Sequence, residues 1–254
     1  MSTDARAAKN ALRTSIKPTL ATLSAPALAH QSRTAQALIA ALPQYRAAQR
    51  ISIYLSMPTR EAQTDALLRQ AFADGKDVFV PYIHAPAAPA TSSEAGTEKA
   101  RKGKGKVMAM LRLHSIAELS ALDRDAWGIP TLPAPSLHQR DNALGGSGPA
   151  PLTHDVESES TSARGLDLIV VPGVAFDPSG ARVGHGAGFY DSFLTRCCAD
   201  GEGRRPYLVG LCLAEQMLPL GEIAMQAWDW RVDVVAVGDG RLLECGEGGL
   251  HAVG

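Results

Sequence analysis

The sequence predicts an α/β fold in which one largely parallel sheet is sandwiched by helices, in a single domain over residues 1–254. Two observations predict this class. Apolar runs of strand length alternate with segments of helical periodicity along most of the chain. One of these runs, Leu-Asp-Leu-Ile-Val-Val at 166–171, is apolar at nearly every position. Such a run is typical of a strand that is covered on both faces.

The individual elements follow from apolar spacing and from helix-end signals. Ser24 is the predicted N-cap of the second helix, and Ser115 with Glu118 forms a capping-box pattern at a later one. Pro18 predicts a kink or an early end in the first helix, and Gly75 ends the third. The predicted helices are 9–23, 24–42, 64–73, a short one from 115 and 189–198, and the predicted strands are 51–55, 78–83, 107–113, 166–171, 207–213 and 232–237.

Two stretches interrupt this alternation and are predicted to be flexible insertions. Residues 85–106 contain no Leu, Ile, Val or Phe and include a run rich in lysine. Residues 133–165 are rich in Pro, Gly and Ser and include a Glu-Ser-Glu-Ser run. Both compositions are typical of solvated loops rather than of core segments.

Composition and charge exclude several classes of protein. The 254 residues are 45% hydrophobic and 20% charged, as in ordinary globular proteins. A net charge of −1 gives no electrostatic reason to expect nucleic acid or a membrane as a partner. No apolar run approaches the roughly 18 residues that a membrane span needs. The four cysteines form no CxxC pair, which favours buried thiols over disulfides or a zinc site.

The amino-terminal region has features that favour two different cellular locations. No acidic residue lies between Asp4 and Glu61, and the stretch is basic and rich in Ala and Ser, as mitochondrial presequences are. The same stretch, however, contains two amphipathic helix patterns and continues into a predicted strand. A removable presequence has no reason to contain elements of the domain. We therefore predict a cytoplasmic location, with a mitochondrial one as the alternative.

The segment 172–191 is the richest in candidate functional residues. It follows a predicted buried strand, and the carboxyl ends of strands are where open α/β sheets bind ligands. Gly184, Gly186 and Gly188 alternate and lead into a predicted helix, so backbone N–H groups and the helix N-terminus can face one anion. Arg182 adds a full charge with a bidentate fork. The sequence therefore predicts a phosphate-binding turn.

This turn matches neither the P-loop nor the dinucleotide fingerprint, so alternatives stay open. A Gly-x-Gly-x-Gly pattern also occurs in tight turns that bind no ligand. Asp191, in the first helical turn, either complements the helix dipole or binds Mg²⁺, which takes one or two carboxylates together with phosphate oxygens.

Several motifs in one order resemble those of the 5-formyltetrahydrofolate cyclo-ligase family. Besides the turn, they are Lys-Asn-Ala-Leu-Arg at 9–13, Ile-Ser-Ile-Tyr-Leu-Ser-Met at 51–57, Glu-Ala-Gln-Thr at 61–64, Trp-Gly-Ile-Pro at 127–130, and Glu215-Gln216 followed by Asp229. The resemblance covers nearly the whole chain outside the two insertions. It implies a three-layer α/β/α sandwich. We also expect the protein to be a monomer.

The family also implies a reaction, which is the ATP- and Mg²⁺-dependent cyclisation of 5-formyltetrahydrofolate to 5,10-methenyltetrahydrofolate, with release of ADP and phosphate. In that reaction ATP phosphorylates the formyl oxygen, and the second nitrogen of the substrate attacks the activated carbon. Phosphoryl transfer needs positioning and charge neutralisation more than a protein nucleophile. The absence of an obvious nucleophile–base pair in the sequence agrees with this.

Roles carried over from the family fall on four groups of residues. The implied ATP contacts are Lys9, Arg13, Arg182, Gly184, His185, Gly186, Ala187, Gly188, Phe189 and Tyr190. The implied folate contacts are Leu55, Glu61 and the stretch from His185 to Phe189. Arg182 and Tyr190 are the implied catalytic residues, and Asp191 and Asp229 the implied Mg²⁺ ligands. Without the resemblance, Lys9 and Arg13 read equally well as a basic helix face, and Tyr190 as a core aromatic.

One position departs from the pattern. Many members of the family have lysine in the middle of the glycine turn, where this chain has Ala187. An ammonium group missing beside a triphosphate weakens transition-state stabilisation unless His185 or Lys9 compensates. A non-catalytic folate-binding protein on the same scaffold is therefore the first alternative. A sugar-phosphate isomerase-like enzyme, which needs neither ATP nor Lys9 and Arg13, is the second.

Overall fold

The computed structural model of the chain describes residues 2–85, 105–149, 165–199, 205–245 and 252–253. Its helices are α1 (Ser2–Ala21), α2 (Ala25–Ala41), α3 (Pro43–Ala47), α4 (Asp65–Ala73), α5 (Ile116–Ala121) and α6 (Phe189–Cys197). Its strands are β1 (Arg50–Ile53), β2 (Asp77–His84), β3 (Val107–Leu113), β4 (Leu168–Val171), β5 (Ala175–Phe176), β6 (Arg182–Val183), β7 (Tyr207–Cys212), β8 (Val234–Val237), β9 (Leu242–Glu244) and β10 (Ala252–Val253). Short 3-10 helices occupy Ala134–Gln139 and Ala214–Gln216.

Eight strands form the main sheet, in the order β10-β9-β8-β7-β4-β1-β2-β3. The five central strands, from β8 to β2, are parallel, whereas β3, β9 and β10 pair antiparallel at the two sides. This confirms the predicted α/β class with a mostly parallel sheet. The chain passes from β1 to β2 on one side and later to β4 on the other. The crevice at the carboxyl ends of β1 and β4 is therefore a topological switch point, where such sheets bind ligands.

The sheet is covered on both faces, as the unbroken apolar run of β4 predicts. All four residues of β4 are buried. Leu168 and Val170 belong to a core cluster that includes residues of α1, α2 and α4, whereas Ile169 and Val171 pack with Phe193 and other apolar residues of the α6 side. Because successive strand residues face opposite sides, this alternation gives three layers.

Helix α1 connects the core to the carboxyl edge of the sheet. Ile16 and Leu20 are buried in the core cluster. Arg13 precedes Ile16 by three residues, and Lys9 precedes Arg13 by four. All four therefore share one face of the helix, which carries the two basic side chains toward the carboxyl edge. The prediction of a kink or early end at Pro18 is wrong about the end, because α1 continues to Ala21.

Helix-end signals in the sequence were accurate in two places and partly wrong in a third. The Ser24 hydroxyl accepts from Ala27 N at 3.3 Å and caps α2, and Gly75 adopts a φ of 71° just beyond α4. The Ser115 hydroxyl accepts from Glu118 N at 3.0 Å, as expected. The Glu118 carboxylate, however, accepts from His114 N at 2.7 Å, one residue before the cap, so the capping box is not closed in the expected way.

Part of the second predicted insertion is ordered. Residues 133–149 contain a 3-10 helix, and the buried Asn142 amide donates to the Gly148 carbonyl oxygen at 2.8 Å. The guanidinium of Arg140 is buried and binds the Arg112 carbonyl oxygen and the Glu118 carboxylate. The prediction of a loose stretch is therefore wrong for 133–149. Residues 150–164, and residues 86–104 of the first insertion, lie outside the described residues.

None of the helices in the described part of the chain has the length and apolarity that a bilayer span requires.

Candidate active site

A pocket of about 1300 Å³ lies at the carboxyl edge of the sheet, beside the switch point. Leu55 and Glu61 follow β1, Pro172 follows β4, and Tyr82 and Ile83 lie at the end of β2; all five line the pocket. Residues 184–192 and the amino-terminal half of α1 complete its wall. The position is the one that the strand order alone predicts.

The glycine turn reaches this pocket by a route that the sequence did not predict. A two-stranded hairpin, β5 and β6, separates β4 from the turn, so the buried strand does not run directly into it. Arg182 is the first residue of the second hairpin strand, two positions before the turn 184–188. Gly186 and Gly188 have φ values of 107° and 69°, in the left-handed region that favours glycine. Gly188 is also the N-cap of α6.

Arg182 is held in the pocket wall with part of its hydrogen-bonding capacity unused. Its side chain is 6% exposed, and Nη2 donates to Asp191 Oδ1 at 2.6 Å. Its guanidinium lies 5.7 Å from the centre of the Tyr190 ring. The Nε–H of Arg182 is buried and has no hydrogen-bond partner among the described residues. Buried donors without partners are rare in native proteins, and a ligand is one common explanation.

Tyr190 presents a second unused donor. Its hydroxyl is buried and has no hydrogen-bond partner within the described residues. Burial raises the pKa of Tyr190 far above its ordinary value, and the negative charge of Glu61 raises it further, although Arg182 opposes this. The hydroxyl is therefore protonated throughout the neutral pH range and is available as a donor.

Lys9 is the buried cation of α1. Its ammonium pairs with the Asp229 carboxylate, and both side chains are about 10% exposed. Asp229 Oδ2 also accepts from the backbone N–H of Gln226 at 2.6 Å. The pair joins α1 to the loop before β8 and leaves both charged groups at the wall of the pocket.

Arg13 contacts the glycine turn directly. Its Nε donates to the Gly184 carbonyl oxygen at 2.6 Å, and a Cβ atom at Gly186 would lie 3.6 Å from the Arg13 Cζ. Burial lowers the pKa of Arg13, and the charge of Arg6 lowers it further, but a guanidinium stays protonated at any physiological pH. Three cations from two distant segments, Lys9, Arg13 and Arg182, therefore surround the pocket.

Glu61 lies on the β1 side of the same pocket. It is 6% exposed, its Oε2 accepts from Met57 N at 3.0 Å, and its Oε1 lies 3.9 Å from His185 Nε2. Arg60, which precedes it, has a φ of 65°, a strained value for a residue with a side chain. The exposed His185 and Ala187 occupy the turn itself. The turn and the β1 loop are thus in contact across the pocket.

The two predicted Mg²⁺ ligands lie near each other. Trp230, which follows Asp229, donates its backbone N–H to Asp191 Oδ1 at 3.1 Å. Both carboxylates pair with cations, Asp191 with Arg182 and Asp229 with Lys9. No cluster of three or more His, Cys, Asp or Glu side chains suited to a metal occurs in the described ranges. A site for Mg²⁺ at this position would therefore use these two carboxylates with phosphate oxygens and water.

The pocket brings together all the candidate site residues from the sequence, with Leu55, Phe189 and the rest of the turn in its wall. Sequence reasoning missed further lining residues, among them Tyr54, Lys106, Arg196 and Trp228. The Tyr54 hydroxyl donates to the Ala62 carbonyl oxygen at 2.6 Å, and burial followed by the Glu61 charge raises its pKa. Tyr54 lies in one of the quoted motifs and Lys106 in the lysine-rich run of the first predicted insertion, but no local signal marked Arg196 or Trp228.

Comparison with known proteins agrees with this geometry. The family model described as "5-formyltetrahydrofolate cyclo-ligase family" matches residues 5–238. A mouse protein named 5-formyltetrahydrofolate cyclo-ligase is 33% identical over 91% of this chain and 94% of its own length. A protein of the same name from Saccharomyces cerevisiae is 30% identical over 93% of this chain and 98% of its own. The solved structure of Aquifex aeolicus 5,10-methenyltetrahydrofolate synthetase has a TM-score of 0.59 at 22% identity, with 95% and 94% of the two chains covered.

Proposed function

The chain belongs to the 5-formyltetrahydrofolate cyclo-ligase family, and we propose that the pocket at the carboxyl ends of β1 and β4 is its active site. The protein is accordingly an ATP-dependent cyclo-ligase that converts 5-formyltetrahydrofolate to 5,10-methenyltetrahydrofolate with release of ADP and phosphate. The specific residues, the metal and the cellular location below are our proposals.

One observation carries the assignment of the site. Lys9, Arg13 and Arg182 come from two distant segments and meet around a glycine turn that opens onto helix α6. A triphosphate is the ligand that matches three cations, exposed backbone N–H groups and a helix N-terminus. Ala187 leaves the turn without its own cation, but these three side chains already supply positive charge to the same pocket.

The chemistry needs positioning and charge stabilisation. In the first step the formyl oxygen attacks the γ-phosphorus and ADP leaves, which places a phosphate on the former formyl oxygen. In the second, the other substrate nitrogen attacks the activated carbon, loses its proton, and phosphate leaves. The Arg182 guanidinium and the turn stabilise charge on the transferring phosphoryl group, and the protonated Tyr190 hydroxyl donates to an oxygen of the same group.

The residues present fit Mg²⁺ at one position. Asp191 and Asp229 are linked through Trp230 N, and each uses one carboxylate oxygen, Oδ1 and Oδ2 respectively, in the contacts described above. We propose that they hold Mg²⁺ together with phosphate oxygens and water. When bound, Mg²⁺ neutralises charge on the β- and γ-phosphates. Lys9 and Arg182 lie at the pocket wall, where their remaining N–H groups, such as the unused Nε–H of Arg182, would be available to phosphate oxygens.

The folate is proposed to occupy the β1 side of the pocket. Glu61 is buried, and among the described residues it accepts from Met57 N and has one longer contact with His185. It thus has acceptor capacity for the N–H edge of a pterin. Leu55 and Phe189 add apolar surface, and residues 185–188 separate this side from the phosphates. The turn therefore contacts both substrates at the point where the formyl oxygen meets the γ-phosphate.

We propose that the enzyme is monomeric and cytoplasmic. Supporting the location, α1 provides two site residues and packs into the core through Ile16 and Leu20. Removal of this helix as a cleaved presequence would take away Lys9 and Arg13.

The test is an assay of purified protein with 5-formyltetrahydrofolate, ATP and Mg²⁺, followed by the near-ultraviolet absorbance of methenyltetrahydrofolate. We expect an ATP-dependent rise, and an Asp191→Asn variant that needs more Mg²⁺ and turns over at least about tenfold more slowly. Asp239→Asn, which removes an exposed carboxylate paired with Arg241 on a turn that does not line the pocket, is the matched control and should retain activity. Full activity of Asp191→Asn at limiting Mg²⁺ would refute the metal role. Absence of any ATP-dependent product would refute the function.

A further inference from the structure

Trp228 is unusual in being a large aromatic residue that is 59% exposed at the pocket. Four large hydrophobic side chains are strongly exposed in the described ranges, and three of them, Ile83, Trp127 and Trp228, line this one pocket. Exposed apolar surface concentrated at a pocket marks a place where a ligand makes contact. Trp228 belongs to none of the motifs that indicated the reaction.

The neighbouring Trp230 shows what a structural tryptophan in this loop looks like. Its indole N–H donates to Thr195 Oγ1 at 3.2 Å, and the Arg205 guanidinium lies over its ring at 6.0 Å. The indole of Trp228 makes no hydrogen bond or ring contact with any described residue. Trp230 therefore has a structural role through these contacts, whereas the ring faces of Trp228 are available to a ligand.

The backbone holds Trp228 next to the proposed phosphate-binding groups. Asp229, its neighbour, pairs with Lys9, and a tight turn joins Asp229 to Gln226 through N–H donation in both directions, at 2.6 and 3.0 Å. The indole thus has a fixed point of attachment beside a cation and a proposed metal ligand. If a triphosphate binds these groups, a planar base attached to it would lie in the part of the pocket that Trp228 lines.

Trp127 lies on a different part of the rim. Gly128, which follows it, packs so closely on Pro58 that a Cβ atom there would be 2.9 Å from the proline Cγ. Pro58 belongs to the loop that carries Glu61, on the proposed folate side. The two exposed tryptophans are thus attached to segments that we assign to different substrates, Trp127 to the folate side and Trp228 to the phosphate side.

We propose that Trp228 is the stacking platform for the adenine base of ATP. This inference deepens the proposed function and rests on it. Stacking of a base on an aromatic side chain uses the π-face that every base has, so it gives affinity without distinguishing one base from another. Trp228 therefore contributes to binding of the nucleoside, whereas Lys9, Arg13 and Arg182 bind the triphosphate.

The experiment compares ligands with and without a base. Calorimetric titration in the presence of Mg²⁺ would measure Kd for a non-hydrolysable ATP analogue, for the corresponding GTP analogue, and for inorganic tripolyphosphate. The proteins are the wild type, Trp228→Leu, Trp228→Phe and Trp127→Leu. The last removes an equally exposed indole from the same pocket and is the matched control for ATP binding.

We expect Trp228→Leu to weaken both nucleotides about tenfold, equivalent to about 1.4 kcal/mol, and to change tripolyphosphate binding less than about twofold. Trp228→Phe should recover most of the loss, and Trp127→Leu should leave the Kd of the ATP analogue within about twofold. In steady-state kinetics, Trp228→Leu should raise KM for ATP with kcat unchanged, the pattern of lost ground-state binding.

Three results would overturn the proposal. Equal loss of tripolyphosphate affinity in Trp228→Leu would show that the residue supports the phosphate site and not the base. Unchanged nucleotide affinity with weakened folate binding would place the folate on Trp228. If wild-type protein bound neither the nucleotide nor tripolyphosphate, both the proposed ATP site and this inference would be refuted.

Discussion

Two arginines buried to a similar degree lie at opposite edges of the same sheet, and they are used differently. The side chains of Arg140 and Arg182 are 3% and 6% exposed. Arg140 lies at the amino edge, where Nε, Nη1 and Nη2 all donate, to Ser136, to the Arg112 carbonyl oxygen and to Glu118. Arg182 lies at the carboxyl edge, where its Nε has no partner in the described residues.

The difference separates a structural arginine from one kept for a ligand. A buried guanidinium that is fully hydrogen-bonded stabilises the segments it joins, and here Arg140 ties residues 133–149 to β3 and α5. A buried guanidinium with an unused donor costs folding free energy, so its presence needs another explanation. At the carboxyl edge we propose that this explanation is a bound phosphoryl group. Burial and charge alone therefore do not indicate function. An unused donor does so at Arg182 because this residue lines the pocket, whereas Arg50 Nη2, which is also buried without a partner among the described residues, belongs to a side chain outside the pocket.

The largest effect should come from Arg182→Lys. Lysine keeps the charge but loses the planar fork, so we expect kcat/KM to fall at least about 100-fold. The melting temperature should change by less than about 2 °C, because Asp191 keeps its bond from Trp230 N. Steady-state kinetics with thermal unfolding on the same sample measures both. A large loss of stability with normal activity would reverse the distinction drawn between the two arginines.

Arg140→Lys is the corresponding substitution at the structural arginine. Lysine cannot reach Ser136, Arg112 and Glu118 at once, so we expect the free energy of unfolding to fall by about 2 kcal/mol. Activity per folded molecule should be unchanged. Chemical denaturation gives the stability, and the absorbance assay gives the activity. An activity loss larger than the loss of folded protein would contradict a purely structural role for the amino edge.

Tyr190→Phe tests the second unused donor. The substitution removes a buried hydroxyl that has no partner, so the free energy of unfolding should stay equal or rise slightly. We nevertheless expect kcat to fall about tenfold, since we propose that the hydroxyl donates to the transferring phosphoryl group. Tyr45→Phe is a suitable control, because the Tyr45 hydroxyl donates to Asp74 at 3.1 Å, away from the pocket. An unchanged kcat in Tyr190→Phe would show that Tyr190 is not a catalytic residue.

The smallest effect concerns the partner of Arg140 and depends on pH. Burial of the Glu118 carboxyl opposes ionisation, but hydrogen bonds from Arg140 and from His114 N outweigh it and hold the pKa below its usual range. Because the folded-state pKa is depressed, the stabilisation is present above the unfolded pKa of about 4.3 and is lost as pH falls through the folded value. Glu118→Gln should therefore lower stability by about 0.5–1 kcal/mol at pH 7, after allowance for solvent screening, and by almost nothing near pH 2.

Denaturant unfolding of wild type and Glu118→Gln at the two pH values measures this difference. A constant gap at both would show that the carboxylate charge plays no part in holding Arg140.

Much of the fold was predictable because local signals determine it. The apolar run of β4 predicts a strand buried on both faces, and Ser24 and Gly75 mark helix ends through their own side-chain or backbone chemistry. Antiparallel pairing at the sheet edges was not predicted, because an apolar pattern shows that a strand is buried and not which way its partner runs. The β5–β6 hairpin was missed because its strands have two residues each, too few for any periodicity.

The candidate site was predictable as a set of residues and not as an arrangement. The order of the motifs indicated Lys9, Glu61, Arg182 and Asp229, and in the structure all four residues line one pocket. The pairing of Lys9 with Asp229 could not be predicted, because no local pattern relates residues so far apart in the chain. Trp228 was missed because the exposure of a side chain depends on which residues pack around it in the folded protein, and no local sequence pattern shows this. The order of 133–149 was missed because it depends on buried polar side chains such as Arg140 and Asn142, whereas composition suggests a loop.

The Lys9–Asp229 pair has a consequence for how the protein becomes active during synthesis. Its two members are separated by 220 positions, so they cannot meet until the segment between them has been synthesised. Helix α1 can form early, but the Lys9 ammonium has no Asp229 carboxylate to pair with until residue 229 has emerged from the ribosome. A chain that stops before residue 229 therefore lacks both this ion pair and one of the two proposed Mg²⁺ ligands.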